Sequence, residues 1–171
     1  MKRKLEKAAV IASTLALSVG LLTGCGSDTT STAGTSSTTE ASGDFDGTIS
    51  IAGIAPLTGS QASWGEGAVN GYNLAIKEIN EAGGIQIDGK SYQLTSAVFA
   101  DDKSDATEAV SAYNNCASYD VSAIIGSCSS SCTLSFVDAA QQAGILVITP
   151  YSTNATICKT GDYIFRECFS D

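Results

Sequence analysis

The chain has no histidine, one tryptophan and one methionine, and its 9 basic residues face 18 acidic ones. Without histidine, a Ser-His-Asp triad cannot be assembled from these side chains, and no Gly-x-Ser-x-Gly elbow is present. Lys77, Lys90, Lys103 and Lys159 fall outside any S-x-x-K pattern. Cys128 and Cys132 sit four apart with serines between them, but no histidine or second close pair completes a tetrahedral metal set. Basic residues are scarce where a nucleic acid would need them, because Lys2, Arg3, Lys4 and Lys7 all precede the first apolar run. With no basic patch to displace counterions, nucleic acid is excluded as a partner. There is no heptad and no repeat. The apolar run Ala8 to Leu22 has fifteen residues, too few for a comfortable membrane span of about 20.

What is there begins with that run. A basic start followed by a short apolar stretch reads as an export signal. It ends in Leu22-Thr23-Gly24-Cys25, which resembles the lipobox of bacterial lipoproteins. The resemblance implies cleavage after residue 24 and a lipid on the Cys25 sulfur, anchoring the chain at the outer face of the cytoplasmic membrane; a free cysteine after an ordinary signal is the plainer alternative. Two acyl chains anchor a protein stably. Removing residues 1–24 takes away Lys2, Arg3, Lys4, Lys7 and Glu6 and leaves five basic against seventeen acidic residues. Residues 25–46 are rich in Ser and Thr and almost devoid of apolar side chains, so they read as a tether that cannot bury a core. The folded part is expected over 47–171, a length that suits one domain. Cys116, Cys128, Cys132, Cys158 and Cys168 remain there, as packed thiols or in one or two disulfides.

Thr48 to Ala55 reads as a first strand, stopped by Pro56-Leu57-Thr58-Gly59. Ser63-Trp64-Gly65-Glu66 has the form of a capping box, opening a helix that ends at Gly83-Gly84. Asp88-Gly89 makes a tight turn before a second strand, Tyr92 to Ala100, which ends at Asp101-Asp102. Ser104 or Asp105 caps a second helix with Ala109, Val110, Tyr113, Cys116 and Ala117 inward. A third strand, Val121 to Ile125, stops at Gly126 and passes through Ser127-Cys128-Ser129-Ser130-Ser131 into a helix carrying Leu134, Val137 and Ala140. Gly144 ends that helix, Ile145 to Thr149 is a fourth strand closed by Pro150, and Tyr163 to Arg166 a short fifth. Alternating strands and helices with short connections predict an α/β fold, a parallel Rossmann-like sheet with flanking helices.

In such a sheet the loops leaving strand C-terminal ends share one rim, where ligands bind. The rim loops here are Leu57–Trp64, Ser127–Ser131 and Tyr151–Asn154. The serine turn offers hydroxyls and helix-start amides to an anion, or else merely caps its helix. The loop after Pro150 offers carbonyls and the Thr153 hydroxyl to an ammonium group, and Trp64 an apolar wall; away from a rim, that indole would be core filler. Together these groups suit a small zwitterion. Asp101-Asp102 reads better as a strand end than as a metal or acid–base pair. Arg166 reads better as a partner in a structural ion pair than as an anion site.

Pro56-Leu57-Thr58-Gly59, Trp64-Gly65, Glu78-Ile79-Asn80-Glu81-Ala82-Gly83-Gly84-Ile85, Asp101-Asp102, Gly126 with its serines, Thr149-Pro150 and Phe165-Arg166 fall in order at characteristic intervals. In these, residues 47–171 resemble the amino-terminal part of the branched-chain amino-acid (leucine/isoleucine/valine) binding proteins of the type I periplasmic-binding-protein fold, which deliver ligand to ABC importers. The resemblance implies an incomplete first lobe, the second lobe being absent, with ABC transporter permease subunits as partners and no cofactor. It further implies that Ser130 holds a ligand carboxylate, that Thr153 engages the amino-acid backbone through amide and hydroxyl, that the Tyr151 carbonyl accepts from the ammonium with Ser152 between them, and that Trp64 lines the pocket. Two departures stand out. Tyr151 is larger than the alanine or glycine usual there, which narrows or redirects the pocket. Ser104 and Ser129 stand where some members carry a disulfide.

Rival readings fare worse. Gly65-x-Gly67-x-x-x-Gly71 resembles a dinucleotide fingerprint and suggests a secreted oxidoreductase, but it follows the first strand too distantly. An extracellular ligand-sensing receptor domain of the same fold is the other alternative, with which a lipid anchor competes.

Overall fold

The computed structural model describes residues 44–171. The expected export signal, the Cys25 lipid site and the expected tether up to residue 43 lie outside the described residues. Asp44 to Asp46 already belong to the fold: Asp46 N–H donates to the Ser91 carbonyl at 2.8 Å, and Ser91 N–H donates back to the Asp46 carboxylate at 2.8 Å. Order therefore begins at least three residues before the expected Gly47.

Strand β1 (Gly47–Ala55) leads to helix α1 (Ala62–Glu81), then to a hairpin of β2 (Ile85–Ile87) and β3 (Lys90–Asp101). Helix α2 (Ala106–Ala117), β4 (Ala123–Gly126), α3 (Ser130–Ala143), β5 (Leu146–Thr149) and β6 (Ile164–Arg166) follow. The sheet order is β2-β3-β1-β4-β5-β6, and every pairing is parallel except the β2–β3 hairpin. The predicted α/β parallel sheet is thus present, with the short β2 as an addition. Asp88 (φ 51°) and Gly89 (φ 78°) form the hairpin turn, where two successive positive φ values match the twist of the flanking strands.

Helix α1 covers β1 and β3 on one face of the sheet, and α2 and α3 pack side by side on the other. On the α2–α3 side the core is Ala52, Ile54, Ile124, Val147 and Ile164 from the strands against Ala109, Tyr113, Cys116, Phe136, Val137 and Ala140 from the helices. Alternation sends Ile125 and Ile148 to the opposite face. There an apolar groove of about 390 Å³ runs between α1 and the sheet, lined by Ile51, Gly71, Ala75, Phe99 and Ile125 among others.

The capping box does not form. Helix α1 starts one residue ahead of Ser63, with Gln61 as its N-cap and no side-chain cap, so Ser63 is already inside the first turn. Asp105 does cap α2, accepting from Thr107 N–H at 2.8 Å and Glu108 N–H at 3.0 Å. The α1 terminus is the expected glycine cap: Gly84 N–H reaches back to the Ile79 carbonyl at 2.8 Å. One turn earlier, the Asn80 side chain donates to Leu94 O and accepts from Leu94 N–H, both at 2.8 Å, bonding the helix to β3. The predicted inward stripes are displaced in part. Val110 and Leu134 are each 37% exposed, while Ala112 and Phe136 take the buried positions.

Phe136, 1% exposed, stacks on Tyr113 with ring centroids 5.4 Å apart and joins α3 to α2. Phe136→Ala is expected to cost about 3–5 kcal/mol of unfolding free energy, measured by urea denaturation at constant m-value; a loss under about 1 kcal/mol would show that the helix pair does not depend on this ring.

Candidate functional site

Parallel pairing brings the C-terminal ends of β1, β3, β4 and β5 to one edge of the sheet, because Ile54 sits beside both Ala100 and Gly126, and Ile125 beside Ile148. Gly126 has φ 135°, and a Cβ there would run into the Ile54 carbonyl. Only glycine allows the serine turn to leave β4 so close to β1.

The turn is tied to its neighbours. Ser129 is the N-cap of α3, but its hydroxyl meets the Ser131 hydroxyl at 2.9 Å rather than a helix amide. Side-chain capping, the plainer reading of the serine cluster, is therefore absent at this N-cap. Ser130 Oγ accepts from Asn154 N–H at 3.2 Å, which joins the start of α3 to the loop after β5 and leaves the Ser130 proton available to an outside acceptor. Trp64, Tyr151 and Thr153 line one cleft together with Cys128, Cys168 and Phe169. The indole and the Tyr151 ring meet edge to face, centroids 5.9 Å apart. Trp64 is 60% exposed and Tyr151 38% exposed, so both present aromatic surface to solvent.

Ser152 differs from the sequence expectation. It is fully buried, its hydroxyl lies 2.7 Å from Thr133 Oγ1, and its amide donates to Thr149 Oγ1 at 3.2 Å. Both of its donors point into the protein, so it faces the interior and not the cleft. Arg166 also departs from expectation: its guanidinium donates to the carbonyls of Thr153 (3.2 Å) and Asn154 (2.8 Å), bracing the loop, and it forms no ion pair among the described residues. Asp102, at the end of β3, is fully buried and accepts from the Ser127 hydroxyl and from Ser104 N–H, the latter at 2.9 Å. A buried serine–threonine–aspartate cluster at the strand ends was not legible from spacing; the one hint is that hydroxyls follow three strands in turn.

Asp101 serves the other side of the rim. It accepts from Leu57 N–H at 2.8 Å, Thr58 Oγ1 at 2.5 Å and Lys103 N–H at 2.9 Å, holding the loop that leads to Trp64. This use as a strand-end tether agrees with the sequence reading of the paired aspartates. The Cys128 thiol at the cleft is a poor nucleophile. Burial first, then the charges of Asp102 and Cys132, push the Cys128 thiol up to about 12, and burial raises Cys116 to about 11. All five described cysteines are free; Cys116 and Cys132 are packed thiols, Cys128 and Cys168 are half-buried and Cys158 is exposed, and the described residues contain no cluster of three or more metal-ligating side chains. Gly65 lies within α1, six residues separate β1 from that helix, and the dinucleotide-like glycines thus do not form a strand-to-helix turn.

An open, mostly parallel α/β sheet with polar loops gathered at its C-terminal edge is a small-molecule-binding architecture. The comparisons make this specific. The family model described as periplasmic binding protein matches residues 48–170. The amino acid binding protein of Pseudomonas aeruginosa is 38% identical over 125 residues, 72% of this chain and 32% of that protein. The leucine-specific-binding protein of Salmonella typhimurium is 34% identical over 119 residues, 69% of this chain and 31% of that one. Among solved structures, the branched-chain amino acid transporter substrate binding protein of Streptococcus pneumoniae, in complex with isoleucine, shares 38% identity and a TM-score of 0.64, covering 72% of this chain and 34% of its own. The chain belongs to the periplasmic binding protein family, whose relatives here are binding proteins rather than enzymes and which implies an extracytoplasmic location. It spans about a third of the length of the curated relatives it matches.

The Asp101 carboxyl is pushed up by burial, but the Thr58 hydroxyl and the amides of Lys103, Leu57 and Thr58 outweigh this and hold it below the usual carboxylate range. A depressed folded-state pKa adds stability above the unfolded value of about 3.9 and loses it as the pH falls through the lower folded value. Acidification below about pH 4 is therefore expected to free the Leu57–Trp64 loop ahead of global unfolding. Trp64 fluorescence, from the only tryptophan of the chain, reports this transition. In Asp101→Asn the acid step is lost and the loop is loose at neutral pH; an unchanged titration would exclude the tether.

Proposed function

We propose that this chain carries the first-lobe binding surface of an extracytoplasmic solute-binding protein that captures a small amino acid of the branched-chain type for an ABC importer. In this reading the ligand carboxylate lies at the start of α3 and takes the Ser130 proton, favoured by the positive end of the helix. The ammonium lies against the Tyr151 carbonyl, the Thr153 amide and hydroxyl hold the amino-acid backbone, and the side chain lies toward Trp64. The observation that carries the reading is the Asn154 N–H to Ser130 Oγ hydrogen bond. It joins the carboxylate side of the site to the loop that also lines the Trp64 cleft. The names of the relatives support it: a leucine-specific-binding protein, and a substrate binding protein in complex with isoleucine.

The full division of the chain belongs to the same proposal. Residues 1–24 are the export signal, Cys25 carries lipid, 25–46 are the tether, and 47–171 bear the binding lobe, held at the outer face of the cytoplasmic membrane beside permease subunits. A lipid-anchored, membrane-facing position follows from the lipobox and needs mass spectrometry of Cys25 to test it.

Ligand binding is tested by titrating the isotopically labelled chain with L-leucine, L-isoleucine and L-valine and following amide and indole resonances. Shifts are expected at Ser129–Ser131, Tyr151–Asn154 and the Trp64 indole. Ser130→Ala should weaken the affinity about tenfold, the cost of one charge-assisted hydrogen bond. Shifts confined to other surfaces, or none with any of the three ligands, would refute the assignment.

A further inference from the structure

Ser127, Thr133, Thr149, Ser152 and Asp102 are each 0% exposed, yet none of them contributes to the apolar core. They come from four places: the residue after β3, the turn after β4, the close of the first turn of α3, and the end of β5 with its loop. Their hydrogen bonds leave little freedom of direction. The Thr149 hydroxyl donates to the Ser127 carbonyl at 2.7 Å, and the Ser152 hydroxyl donates to the same carbonyl at 3.1 Å. With the Ser152 proton so used, the Thr133 hydroxyl donates to Ser152 Oγ at 2.7 Å and accepts from Ser127 N–H at 3.3 Å. The Ser127 hydroxyl donates to the Asp102 carboxylate and accepts from Ser129 N–H at 3.4 Å. Every hydroxyl proton thus has a single acceptor, and both lone pairs of one carbonyl are spent.

Asp102 takes no part in the ion pairs found among the described residues, which join Lys77 to Glu81 and Lys103 to Glu108. Among the described residues its buried carboxyl is met by the Ser127 hydroxyl and the Ser104 amide. Such a group is expensive to leave half-satisfied, so the cluster is held shut as a unit. Satisfying the Ser127 carbonyl at the strand end takes one hydroxyl; the second hydroxyl on it, and the links onward to Thr133 and Asp102, tie separate elements together.

We infer that this buried cluster, with Asp102 at its end, is a positioning device that sets the distance between the two rim loops, Ser127–Ser131 and Tyr151–Asn154, and so the geometry in which Ser130 and Thr153 are presented. Both loops hang from Ser127: its carbonyl holds Thr149 and Ser152, and its hydroxyl holds the Ser129 amide that begins α3. The cluster touches no ligand itself. Its consequence for amino-acid affinity rests on the function proposed above; its consequence for loop geometry does not.

The test compares amide hydrogen exchange in the full chain with that in Thr149→Val and Thr133→Val, which keep shape but remove a hydroxyl. The diagnostic amides are Ser129 and Asn154, which lose no direct partner in either variant. They are expected to exchange about tenfold faster, while Ala52 and Ile124 in the core strands stay within about twofold. Thr149→Ser and Thr133→Ser, which restore the hydroxyl without the methyl, should return Ser129 and Asn154 to the parent rates. Unchanged rates at both diagnostic amides in both valine variants would overturn the inference. So would an equal acceleration at Ala52 and Ile124, or no rescue by serine, since either marks a general packing defect. A parallel leucine titration should show weakening of about tenfold in Thr149→Val and recovery in Thr149→Ser. If the parent chain binds no leucine, the ligand reading fails while the exchange data still decide the positioning role.

Discussion

A parallel strand that stops leaves backbone groups without ladder partners, and in this fold five parallel strands stop along one edge beneath the rim. Much of the structure around the site answers that constraint. Asp102 N–H bonds the Ala55 carbonyl at 3.2 Å, Glu167 N–H bonds the Thr149 carbonyl at 3.0 Å, and the Ser127 carbonyl is taken by two hydroxyls. Unpaired, each such group would cost the desolvation of a buried polar atom. The residues that prevent this are short and polar, and they fix the loops above them at the same time. Stability and site geometry are therefore set by the same hydrogen bonds.

The rim divides accordingly into tethers and presenters. Asp101 holds the loop leading to Trp64, and Arg166 braces the loop of Thr153 through two carbonyls. With Thr153 O also accepting from Asp171 N–H at 3.0 Å, that carbonyl is spent on structure. What remains turned outward is the aromatic corner of Trp64 and Tyr151 with the Thr153 side of the cleft. Asp101, Asp102 and Arg166 are spent on internal hydrogen bonds, so in the proposed function recognition falls to hydroxyls, amides and the helix start. Such neutral donors suit a ligand that carries both charges itself.

Much of the architecture was legible because it depends on local chemistry. The Asp88-Gly89 turn, the glycine stop after Glu81, the Asp105 cap and the apolar runs of β4 and β5 follow from backbone preference and burial period. Misreadings came where the local pattern admits more than one assignment. Ser63-x-x-Glu66 has the right composition for a capping box, yet the turn from Gly59 starts the helix at Ala62, and the box falls inside it. Ala109, Tyr113, Cys116, Val137 and Ala140 are buried as expected, but the packing of α2 against α3 takes Ala112 and Phe136 inward in place of Val110 and Leu134, so tertiary contact decides the edge of each stripe. Ser152 was the subtler case. Sequence places it between two rim residues, but the direction of its side chain depends on Thr133, nineteen residues away, to which spacing gives no access.

Tyr151 carries the remaining consequence for selectivity. Its ring stands edge-on to the indole, a favourable arrangement in itself, worth about 0.5–1.5 kcal/mol beyond burial. The ring borders both the cleft of Thr153 and the apolar groove beside α1, so it separates the polar rim from the apolar space behind it. A ligand side chain directed toward Trp64 must share that wall with the tyrosine. The position that offers its carbonyl to the ammonium in the proposed pose thus also limits, through its side chain, the room left for whatever the amino acid carries. In the proposed pose one residue would therefore meet the ammonium with its backbone and border the ligand side chain with its ring.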